Sequence, residues 1–376
     1  MRVLLTGAAG FLGWHTRVRL AAQGHHDVVV ATREEWSRLP ELAADVEAVI
    51  HVAGVNRGPD ADVEGGNVAL AEDLVDALGA NPHLRHVVFA DSVLGGTDTP
   101  YGRGKARAAE VLAAFADRAG VTSTDVRLPN LFGEHGRPDY NSFVATFVAA
   151  VLAGRTPTVV DRPIELLHVQ GAAQALVACL DGTVGGVRTP TGTTTSVATV
   201  LARLQAAASL YEHGDIPPLL DDLDVDLFNT LRAALVPHHY PIPLTRRTDQ
   251  RGALVETVRS HGGTGQTFVS TTRPGVTRGE HYHLRKVERF VVLSGRASIR
   301  LRRMFSDEVV GFEVEGDQPC VVDMPTGWVH SITNTGGSDL TTLFWTNELF
   351  DPDAPDTYPE QVGPTAVLAG AGGHRP

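Results

Sequence analysis

Three side chains in the first third of the sequence have the types and the spacing that carbonyl chemistry needs. Tyr101 and Lys105 lie at positions i and i+4 of a predicted helix and therefore share one face. A lysine ammonium beside a phenol lowers the phenol pKa from about 10, so that the phenol exchanges protons near neutral pH. Ser92 follows a predicted strand at 86–90 and is placed to hydrogen-bond and polarise a carbonyl oxygen. The alternative for Tyr101 is a half-buried aromatic residue at the start of a helix.

A second group of residues fits a metal site. The pattern H-x-H-x4-E, followed later by P-x-G-x-x-H, supplies His281, His283, Glu288 and His330. The first two histidines alternate on a predicted strand and point to the same side, and the glutamate can join them from the next strand. Three imidazoles and a carboxylate suit Zn²⁺ or another borderline divalent ion, with room for a water or a substrate oxygen. The alternative is a set of strand histidines that face solvent or a polar pocket.

The first element that must position these groups is a turn at the N-terminus. Residues 3–5 are apolar and predict a buried parallel strand, and a helical pattern begins at Phe11. Gly7, Gly10 and Gly13 lie at this junction in the spacing G-x-x-G-x-x-G. A strand that turns through glycines into a helix presents free backbone N–H groups and the positive end of the helix dipole to a pyrophosphate. The turn therefore predicts a dinucleotide-binding site.

The ends of the next two predicted strands bear on the identity of the cofactor. Arg33 follows the strand at 27–31, where folds that prefer NAD usually carry an acid, and it can pair with a 2′-phosphate. We therefore predict NADPH (NADP); the alternative is a solvated surface arginine. Small residues after the strand at 48–52 let the backbone lie against the adenine and the ribose, and Asn67 opens the next helix as a ligand or only as its N-cap. The predicted cofactor-binding residues are Gly7, Gly10, Phe11, Leu12, Gly13, Arg33, Ala53, Gly54, Asn67, Tyr101 and Lys105.

Composition limits the class of protein. A chain of 376 residues is long enough for two domains with cores of their own, and a formal net charge of −12 argues against nucleic-acid and anionic-membrane partners. Two cysteines that lie far apart indicate a reducing compartment and no disulfide framework. The N-terminus has no signal-peptide pattern, and no apolar run reaches the ~20 residues of a membrane span. We expect a cytoplasmic enzyme.

The periodicity of the sequence changes near Pro243, where we place the domain boundary. Residues 1–243 alternate strands and helices and predict an α/β fold with a doubly wound parallel sheet. Residues 244–362 consist of short β-branched runs with glycine turns, one of them at Gly295, and predict an all-β antiparallel sandwich or barrel. Residues 363–376 are rich in glycine and alanine and predict a flexible tail.

Residues 1 to about 240 resemble the extended short-chain dehydrogenase/reductase (SDR) superfamily, whose members have a Rossmann-like fold and act mostly on nucleotide sugars. The glycine turn and the Ser92, Tyr101 and Lys105 set carry this resemblance, together with R-L-P-N-L-F-G at 127–133. The resemblance implies that these three side chains are catalytic.

The same resemblance implies residues that bind the sugar nucleotide. Asn130 is the position of the 127–133 segment that matches the substrate-binding asparagine of the family. Arg57, at the end of A-G-V-N-R, is a further candidate, and Asn141 lies along the same cleft or caps the next helix. The chain departs from the family at 168–171, where H-V-Q-G replaces the frequent Y-V-D-D.

Residues 249–358 resemble the cupin superfamily, whose fold is a β-barrel of the jelly-roll type. The two histidine motifs carry this resemblance, and R-G-E-H at 278–281 and D-Q-R-G-A-L-V-E at 249–256 are similar to cupin epimerases of deoxysugar pathways. Both halves together resemble the bifunctional UDP-sugar epimerase/reductases of the capsular polysaccharide UDP-N-acetyl-L-fucosamine pathway (CapF type). The segment W-T-N-E-L-F-D-P-D-A-P-D-T-Y at 345–358 is a further marker of that family.

That resemblance implies two reactions on a UDP-linked 4-keto-6-deoxy amino sugar. The cupin domain epimerises C3 of a UDP-2-acetamido-2,6-dideoxy-hexos-4-ulose, and the reductase domain then reduces the C4 ketone with NADPH to a UDP-N-acetyl-6-deoxy-L-talosamine. A 4-ketone acidifies the C3 hydrogen, and a metal ion or a cationic side chain can stabilise the enolate. Histidines that bind a metal are not free to act as the base, so the candidates for the cupin base are Lys286, Glu348 and Tyr282.

Three other interpretations are consistent with the sequence. In the first, the cupin domain is a structural or dimerising module with a structural metal. In the second, the same two activities act on a different sugar. In the third, the chain is a non-catalytic sensor of sugar nucleotides. An intact Ser92, Tyr101 and Lys105 set weighs against a sensor, because a sensor needs no proton donor. Both families commonly form dimers, so we expect a homodimer.

Overall fold

The computed structural model describes residues 1–181 and 185–363, together with the backbone of Val367–Leu368. The chain divides into two compact units, Met1–Phe143 with Asp161–Val197 and Val144–Val160 with Ala198–Pro376. The predicted flexible tail at 363–376 lies outside the described residues, except for Gly363 and that backbone pair. Among the described residues, no helix combines the length and the apolar character needed to cross a membrane.

The first half of the chain alternates strands and helices, as the sequence predicts. In chain order these elements are β1 (Arg2–Thr6), α1 (Phe11–Gln23), β2 (Asp27–Ala31), α2 (Leu39–Leu42), β3 (Ala48–His51), α3 (Asp60–Leu78), β4 (His86–Ser92), α4 (Pro100–Ala119), β5 (Thr122–Leu128), β6 (Asn130–Phe132), α5 (Phe143–Leu152), β7 (Pro163–His168), α6 (Val169–Ala178), β8 (Gly186–Arg188) and β9 (Thr193–Ser196). Short 3-10 turns lie at Trp36–Arg38 and Cys179–Asp181.

Six of these strands form one parallel sheet in the order β2-β1-β3-β4-β5-β8. The predicted doubly wound parallel sheet is therefore confirmed. The strand order reverses between β1 and β3, and in such sheets ligands bind in the crevice at the carboxyl ends of the strands beside this point. The three remaining strands form a small sheet in the order β6-β7-β9.

Apolar side chains pack on both faces of the parallel sheet, which explains the continuous apolar runs in β1 and β3. Leu4 packs on one face with Leu74 of α3 and Leu112 of α4, and Leu5 packs on the other face with Leu176 of α6. Successive residues of a strand point to opposite faces, so a strand that is covered on both sides needs apolar residues throughout.

Local sequence determines where α4 begins. The side chain of Thr99 accepts a hydrogen bond from the backbone N–H of Gly102, and Pro100 occupies the first turn, where its missing N–H is tolerated. The helix therefore starts one residue before Tyr101, and Lys105 follows one turn later on the same face.

The second half of the chain is built mainly of strands. Its helices are α7 (Val197–Tyr211) and α8 (Asp222–Ala233), and its strands are β10 (Ile242–Pro243), β11 (Arg246–Asp249), β12 (Gly252–Val255), β13 (Gln266–Thr272), β14 (Thr277–Tyr282), β15 (Glu288–Ser294), β16 (Arg296–Arg303), β17 (Val309–Glu315), β18 (Cys320–Met324), β19 (Trp328–Asn334), β20 (Leu340–Thr346), β21 (Tyr358–Pro359) and β22 (Val367–Leu368). The five predicted β-branched runs, at 267–272, 289–293, 297–302, 309–314 and 341–345, correspond to β13, β15, β16, β17 and β20. Gly295 makes the predicted turn with φ of +92°.

Two larger sheets organise these strands. One has the order β10-β18-β15-β20-β13 and the other the order β21-β14-β19-β16-β17-β22, while β11 and β12 form a separate hairpin. Neighbouring strands in them are antiparallel, except that β22 pairs with β17 in parallel. The predicted antiparallel architecture is present, and closure of the sheets into a jelly-roll barrel stays a prediction.

The compact units do not coincide with the boundary predicted at residue 243, because residues 198–243 pack with the strands of the second unit. A buried polar network makes this connection. The hydroxyl of Tyr211 donates to Asp323 Oδ2 at 2.7 Å, and it lies 2.5 Å from the hydroxyl of Tyr240. The guanidinium of Arg289 donates to both oxygens of Asp323, at 2.7 and 2.9 Å, and to the carbonyl of Gly214 at 2.6 Å.

Candidate functional site

The glycine turn between β1 and α1 packs directly against the loop that follows β3. Gly7 has a φ of +67°, and a Cβ atom on it would lie 2.7 Å from the backbone nitrogen of Ala53. A Cβ atom on Gly13 would overlap the carbonyl oxygen of Gly7, whereas one on Gly10 would lie 3.2 Å from it. Gly7 therefore permits the turn, and Gly13 permits the close approach of α1, as predicted from the sequence.

The other cofactor candidates follow neighbouring parallel strands or begin α1. Phe11 and Leu12 are the first residues of α1 and are half-buried. Ala53 and Gly54 follow β3, where the side-chain oxygen of Thr6 accepts hydrogen bonds from the backbone N–H groups of 52 and 53. Arg33 is exposed just beyond β2, and its guanidinium forms no ion pair within the described part of the chain. These positions share the carboxyl edge of the sheet because β1, β2 and β3 are parallel.

The position of Asn67 differs from the prediction. It lies inside α3, which begins at Asp60, and so it does not cap this helix. Its Nδ2 donates to the carbonyls of Val55 and Val63 at 2.6 and 2.7 Å, and its Oδ1 accepts from the backbone N–H of Val55 at 3.2 Å. The side chain therefore holds the loop that follows β3.

The structure brings all three predicted catalytic residues to the end of β4. Ser92 is the last residue of this strand, and the hydroxyls of Ser92 and Tyr101 are hydrogen-bonded to each other. The ammonium of Lys105 donates to the carbonyl of Ala90 at 2.6 Å and lies 4.0 Å from the centroid of the Phe89 ring. The phenol of Tyr101 and the ammonium of Lys105 are thus both anchored to one strand end.

The pKa of Tyr101 differs from the prediction. Burial and the nearby Asp91 raise the pKa of Tyr101 above its usual value, although its hydrogen bond with Ser92 opposes the increase. The expected lowering by Lys105 is not found, because the ammonium is directed to the Ala90 carbonyl and the Phe89 ring. Burial lowers the pKa of Lys105 to about 8, and Asp91 and Asp125 oppose this decrease.

Asp91 and Asp125 belong to this site and were not predicted. Asp91 immediately precedes Ser92 and is buried, with its Oδ2 3.8 Å from Arg127 Nε. Asp125 Oδ2 lies 3.2 Å from the same nitrogen, and burial together with Asp91 raises the pKa of Asp125 to about 6. The β4–β5 register brings the two acids together, since Asp91 pairs with Arg127. Asp91, directly after the apolar run at 87–90, was a signal in the sequence.

The structure brings two of the predicted substrate residues together. Arg57 donates to Asn141 Oδ1 at 3.2 Å and to the carbonyl of Asp139 at 3.3 Å. Asn141 lies ahead of α5, so the loop before this helix is joined to the loop after β3. Asn130 does not share these contacts; it begins β6, and its Nδ2 donates to the carbonyl of Glu165 at 3.3 Å.

The segment that departs from the family, 168–171, lies at the junction of β7 and α6. His168 Nε2 is 3.0 Å from Glu134 Oε2, and both side chains are buried. Gln170 donates to His15 Nδ1 at 3.0 Å and thereby connects α6 to α1. His168 and Gln170, at positions where the family frequently carries tyrosine and aspartate, therefore have structural contacts of their own.

The four predicted metal ligands form one cluster in the second unit. Their ligand atoms all lie within 4.8 Å of one another. His281 lies in β14, His283 just beyond it, Glu288 begins β15, and His330 lies in β19. A bulge at Glu280, with φ of +57°, shifts the register so that His281 pairs with His330. The convergence of the four side chains confirms the predicted juxtaposition.

The chemistry of this cluster fits a divalent cation. Burial and the neighbouring imidazoles lower the pKa of His281 to about 3, which leaves it neutral. Although burial opposes ionisation, His283 holds the pKa of Glu288 well below its usual range. His330 Nε2 is buried 3.2 Å from Glu288 Oε2, in a direction that makes no hydrogen bond. Although burial opposes it, Glu288 raises the pKa of His283. Neutral imidazoles and an ionised carboxylate are the forms that bind metals, so an ion bound here would displace the proton that Glu288 favours on His283.

The three candidates for a base in the second unit lie outside that ligand set. Lys286 is buried, and its ammonium donates to the carbonyl of Pro355 at 2.6 Å. Tyr282 is buried next to His281 in β14, and successive residues of a strand face opposite sides. Glu348 is half-buried just beyond β20.

Two family models match the sequence in separate segments. Residues 3–188 match the NAD dependent epimerase/dehydratase family. Residues 247–358 match the polysaccharide biosynthesis C-terminal domain. The first match contains the glycine turn with Ser92, Tyr101 and Lys105, and the second contains the four clustered ligands.

Known proteins are similar to the whole chain or to its second half. The UDP-2-acetamido-2,6-beta-L-arabino-hexul-4-ose reductase of Pseudomonas aeruginosa is 32% identical over 375 residues, which cover 96% of this chain and 99% of that protein. The spore coat polysaccharide biosynthesis protein SpsL of Bacillus subtilis is 28% identical over 122 residues, covering 30% of this chain and 81% of the relative.

Solved structures extend the similarity to the fold. The crystal structure of the capsular polysaccharide assembling protein CapF from Staphylococcus aureus has a TM-score of 0.61 and 30% sequence identity, and the match covers 96% of this chain and 100% of CapF. Since sequence and structure match relatives along almost their entire lengths, the chain belongs to the family of CapF and the UDP-2-acetamido-2,6-beta-L-arabino-hexul-4-ose reductase.

Proposed function

We propose that this chain is a bifunctional nucleotide-sugar enzyme. Its first unit reduces the C4 ketone of a UDP-2-acetamido-2,6-dideoxy-hexos-4-ulose, and its second unit epimerises C3 of that sugar. The reductase rests on the Ser92, Tyr101 and Lys105 set at the carboxyl edge of the doubly wound sheet. Its substrate class rests on the relative named for reduction of a UDP-linked hexul-4-ose.

In the reductase, Tyr101 donates the proton to O4 of the sugar while Ser92 hydrogen-bonds the same oxygen. The raised pKa of Tyr101, caused by burial and by Asp91, suits this role because a proton donor must be protonated at neutral pH. Bound nicotinamide cofactor supplies the hydride to C4. Lys105 holds the ribose of the nicotinamide and remains charged below the pKa of about 8.

We propose NADPH as the cofactor and a UDP-sugar as its partner in the first unit. The exposed guanidinium of Arg33 supports a 2′-phosphate, since it lies beyond β2 where the adenosine ribose binds in such folds. The joined pair Arg57 and Asn141, together with Asn130, is proposed to contact the UDP-sugar. The product would be UDP-N-acetyl-6-deoxy-L-talosamine or a similar deoxysugar.

For the second unit we propose a cupin barrel that binds a divalent metal ion, Zn²⁺ first. His281, His283, Glu288 and His330 would hold the ion, as their mutual distances, the neutral His281 and the ionised Glu288 support. When bound, the ion would stabilise negative charge on the substrate oxygens as a Lewis acid. Lys286, Glu348 and Tyr282 remain the candidates for the base, and a homodimer remains a prediction.

The test is proton NMR of the UDP-4-keto-6-deoxy-N-acetylhexosamine with the protein in D₂O, first without NADPH. We expect the C3 proton to be replaced by deuterium and NADPH, once added, to be oxidised. Tyr101→Phe should lower NADPH oxidation by roughly 10²–10⁴-fold and retain C3 exchange. His283→Ala should abolish C3 exchange and retain NADPH oxidation.

Each other outcome selects an alternative. NADPH oxidation without C3 exchange would leave a reductase with a structural cupin. Loss of exchange in Tyr101→Phe would contradict two separate sites. If neither reaction occurs, a different sugar or a non-catalytic sensor replaces the proposal.

A further inference from the structure

The backbone N–H groups of the loop that connects two of the clustered ligands all donate to side chains from later in the chain. This loop, residues 284–287, runs from His283 to Glu288. The backbone N–H of Leu284 donates to Asp356 Oδ1 at 3.0 Å, and those of Arg285 and Lys286 donate to Asp356 Oδ2 at 2.9 and 2.8 Å. The backbone N–H of Val287 donates to Asn347 Oδ1 at 2.8 Å. Two side chains therefore accept the hydrogen bonds of all four backbone N–H groups of the loop.

The same aspartate also contacts the imidazole of a ligand. The carbonyl oxygen of Asp356 lies 2.6 Å from His283 Nδ1. A carbonyl can only accept, so Nδ1 donates to it, and Nε2 is the ring nitrogen that faces the cluster and is left to bind a metal ion. His283 Nε2 lies 3.0 Å from Glu288 Oε2, inside the cluster. The imidazole is thus fixed in direction.

The backbone around Asp356 is anchored to the strand that carries His281. Asp356 has a φ of +42°, a conformation that asparagine, aspartate and glycine tolerate best. Directly after it, β21 pairs with β14, so that Tyr358 lies opposite Tyr282. The segment is therefore held against the ligand-bearing strand by ladder pairing as well as by its carboxylate.

We infer that Asp356 is a positioning residue for the metal ion, which orients His283 and fixes the loop to Glu288 before the ion binds. This inference rests on the metal site proposed above. Asp356 itself is not among the residues whose ligand atoms form the cluster. Partners that orient metal-binding histidines typically change metal affinity by about 10- to 100-fold when they are removed.

The experiment compares metal affinity in the full-length protein and three variants. Asp356→Gly tolerates the positive φ and removes the carboxylate, while Asp356→Asn keeps the shape but turns one acceptor into a donor that faces backbone N–H groups. Asp353→Asn is the control, because Asp353 is exposed in the same segment, and no hydrogen bond or ion pair joins its side chain to residues 284–287. Metal-free protein is titrated with Zn²⁺ against a chromophoric chelator, and Co²⁺ spectra report the ligand geometry. Circular dichroism and melting without metal report folding.

We expect the Kd for Zn²⁺ to rise by about 10- to 100-fold in Asp356→Gly and by less in Asp356→Asn. The Co²⁺ spectrum should change in both, and Asp353→Asn should match the natural protein. An unchanged Kd and Co²⁺ spectrum in both Asp356 variants, even with a lower melting temperature, would make the residue merely structural and overturn the inference. If the natural protein binds neither metal, the proposed metal site fails together with the inference.

Discussion

Single residues decide the protonation state of the proposed reductase site, and Asp91 acts on two of them. Asp91 is buried directly before Ser92, and its charge raises the pKa of both Tyr101 and Lys105. Burial raises the pKa of Tyr101, because it disfavours the phenolate, and it lowers the pKa of Lys105, because it disfavours the ammonium. The carboxylate therefore helps to keep both groups protonated near neutral pH.

This arrangement predicts a pH dependence with a definite direction. Because the pKa of Lys105 is about 8, kcat/KM for NADPH-dependent ketone reduction should fall as the pH rises through that value. Asp91→Asn removes the charge that raises the pKa of Lys105 and of Tyr101, so the fall should move to lower pH. Initial rates of NADPH oxidation between about pH 6 and pH 10 measure the pH at which kcat/KM falls.

Asp98→Asn is the matched control, since Asp98 is an exposed acid that pairs with Arg103. It should leave the pH profile unchanged. A profile of Asp91→Asn that coincides with that of the natural protein would show that Asp91 does not set these protonation states.

At the scale of elements, the approach of α1 to β1 depends on the absence of a single methyl group. The first turn of α1 lies so close to the glycine turn that a Cβ atom on Gly13 would meet the backbone of Gly7 and Ala8. Neither contact can be relieved by a rotamer change, because both involve backbone atoms. The helix N-terminus can therefore take its position only if residue 13 is glycine.

We predict that Gly13→Ala lowers the melting temperature and abolishes NADPH binding, as measured by thermal unfolding and fluorescence titration. Gly10→Ala should retain the fold with weaker binding, since its Cβ atom would lie 3.2 Å from the Gly7 carbonyl oxygen. Gly65→Ala is the control: Gly65 lies in α3 with nothing within 4 Å of an added Cβ, and alanine should stabilise the helix by roughly 0.5–1 kcal/mol. NADPH binding by Gly13→Ala at natural affinity would contradict this account of the turn.

At the scale of the whole molecule, buried polar groups join residues 198–243 to the strands of the second unit. Arg289 and Asp323 are 1% and 0% exposed, and Tyr211, Tyr240 and Gly214 complete their hydrogen bonding. Despite burial, Arg289 holds the pKa of Asp323 below its usual value. The contribution of Asp323 to stability is therefore present above about pH 4 and is lost as the pH falls through its lowered pKa.

Removing one member of this pair should destabilise the second unit strongly. Asp323→Ala leaves the guanidinium of Arg289 buried without a counter-charge, and such a loss typically costs about 3–5 kcal/mol. Urea unfolding followed by circular dichroism measures the difference. Asp249→Ala is the control, because the pair of Asp249 and Arg251 is exposed, and it should leave the unfolding midpoint unchanged. Equal unfolding free energies in Asp323→Ala and the natural protein would contradict the role assigned to the network.

The sequence alone determined those features that depend on local spacing. The glycine turn, the shared helix face of Tyr101 and Lys105, the strands of the second half and the H-x-H-x4-E pattern all follow from periods of a few residues. Backbone geometry converts such spacings into shared faces with little influence from the rest of the chain. The doubly wound sheet and the cluster of His281, His283, Glu288 and His330 were therefore predictable.

Only the tertiary structure decided the contacts between distant segments. The register of β4 and β5 brings Asp91 close to Asp125. Asn67 lies inside α3 and holds the loop after β3, although the sequence predicted a helix cap or a ligand. The backbone N–H groups of residues 284–286 donate to Asp356, about seventy residues later in the chain. Buried hydrogen bonds, not composition, place residues 198–243 with the second unit. Such contacts depend on which surfaces meet after folding, and a polar residue in the sequence does not reveal which buried partner will satisfy it.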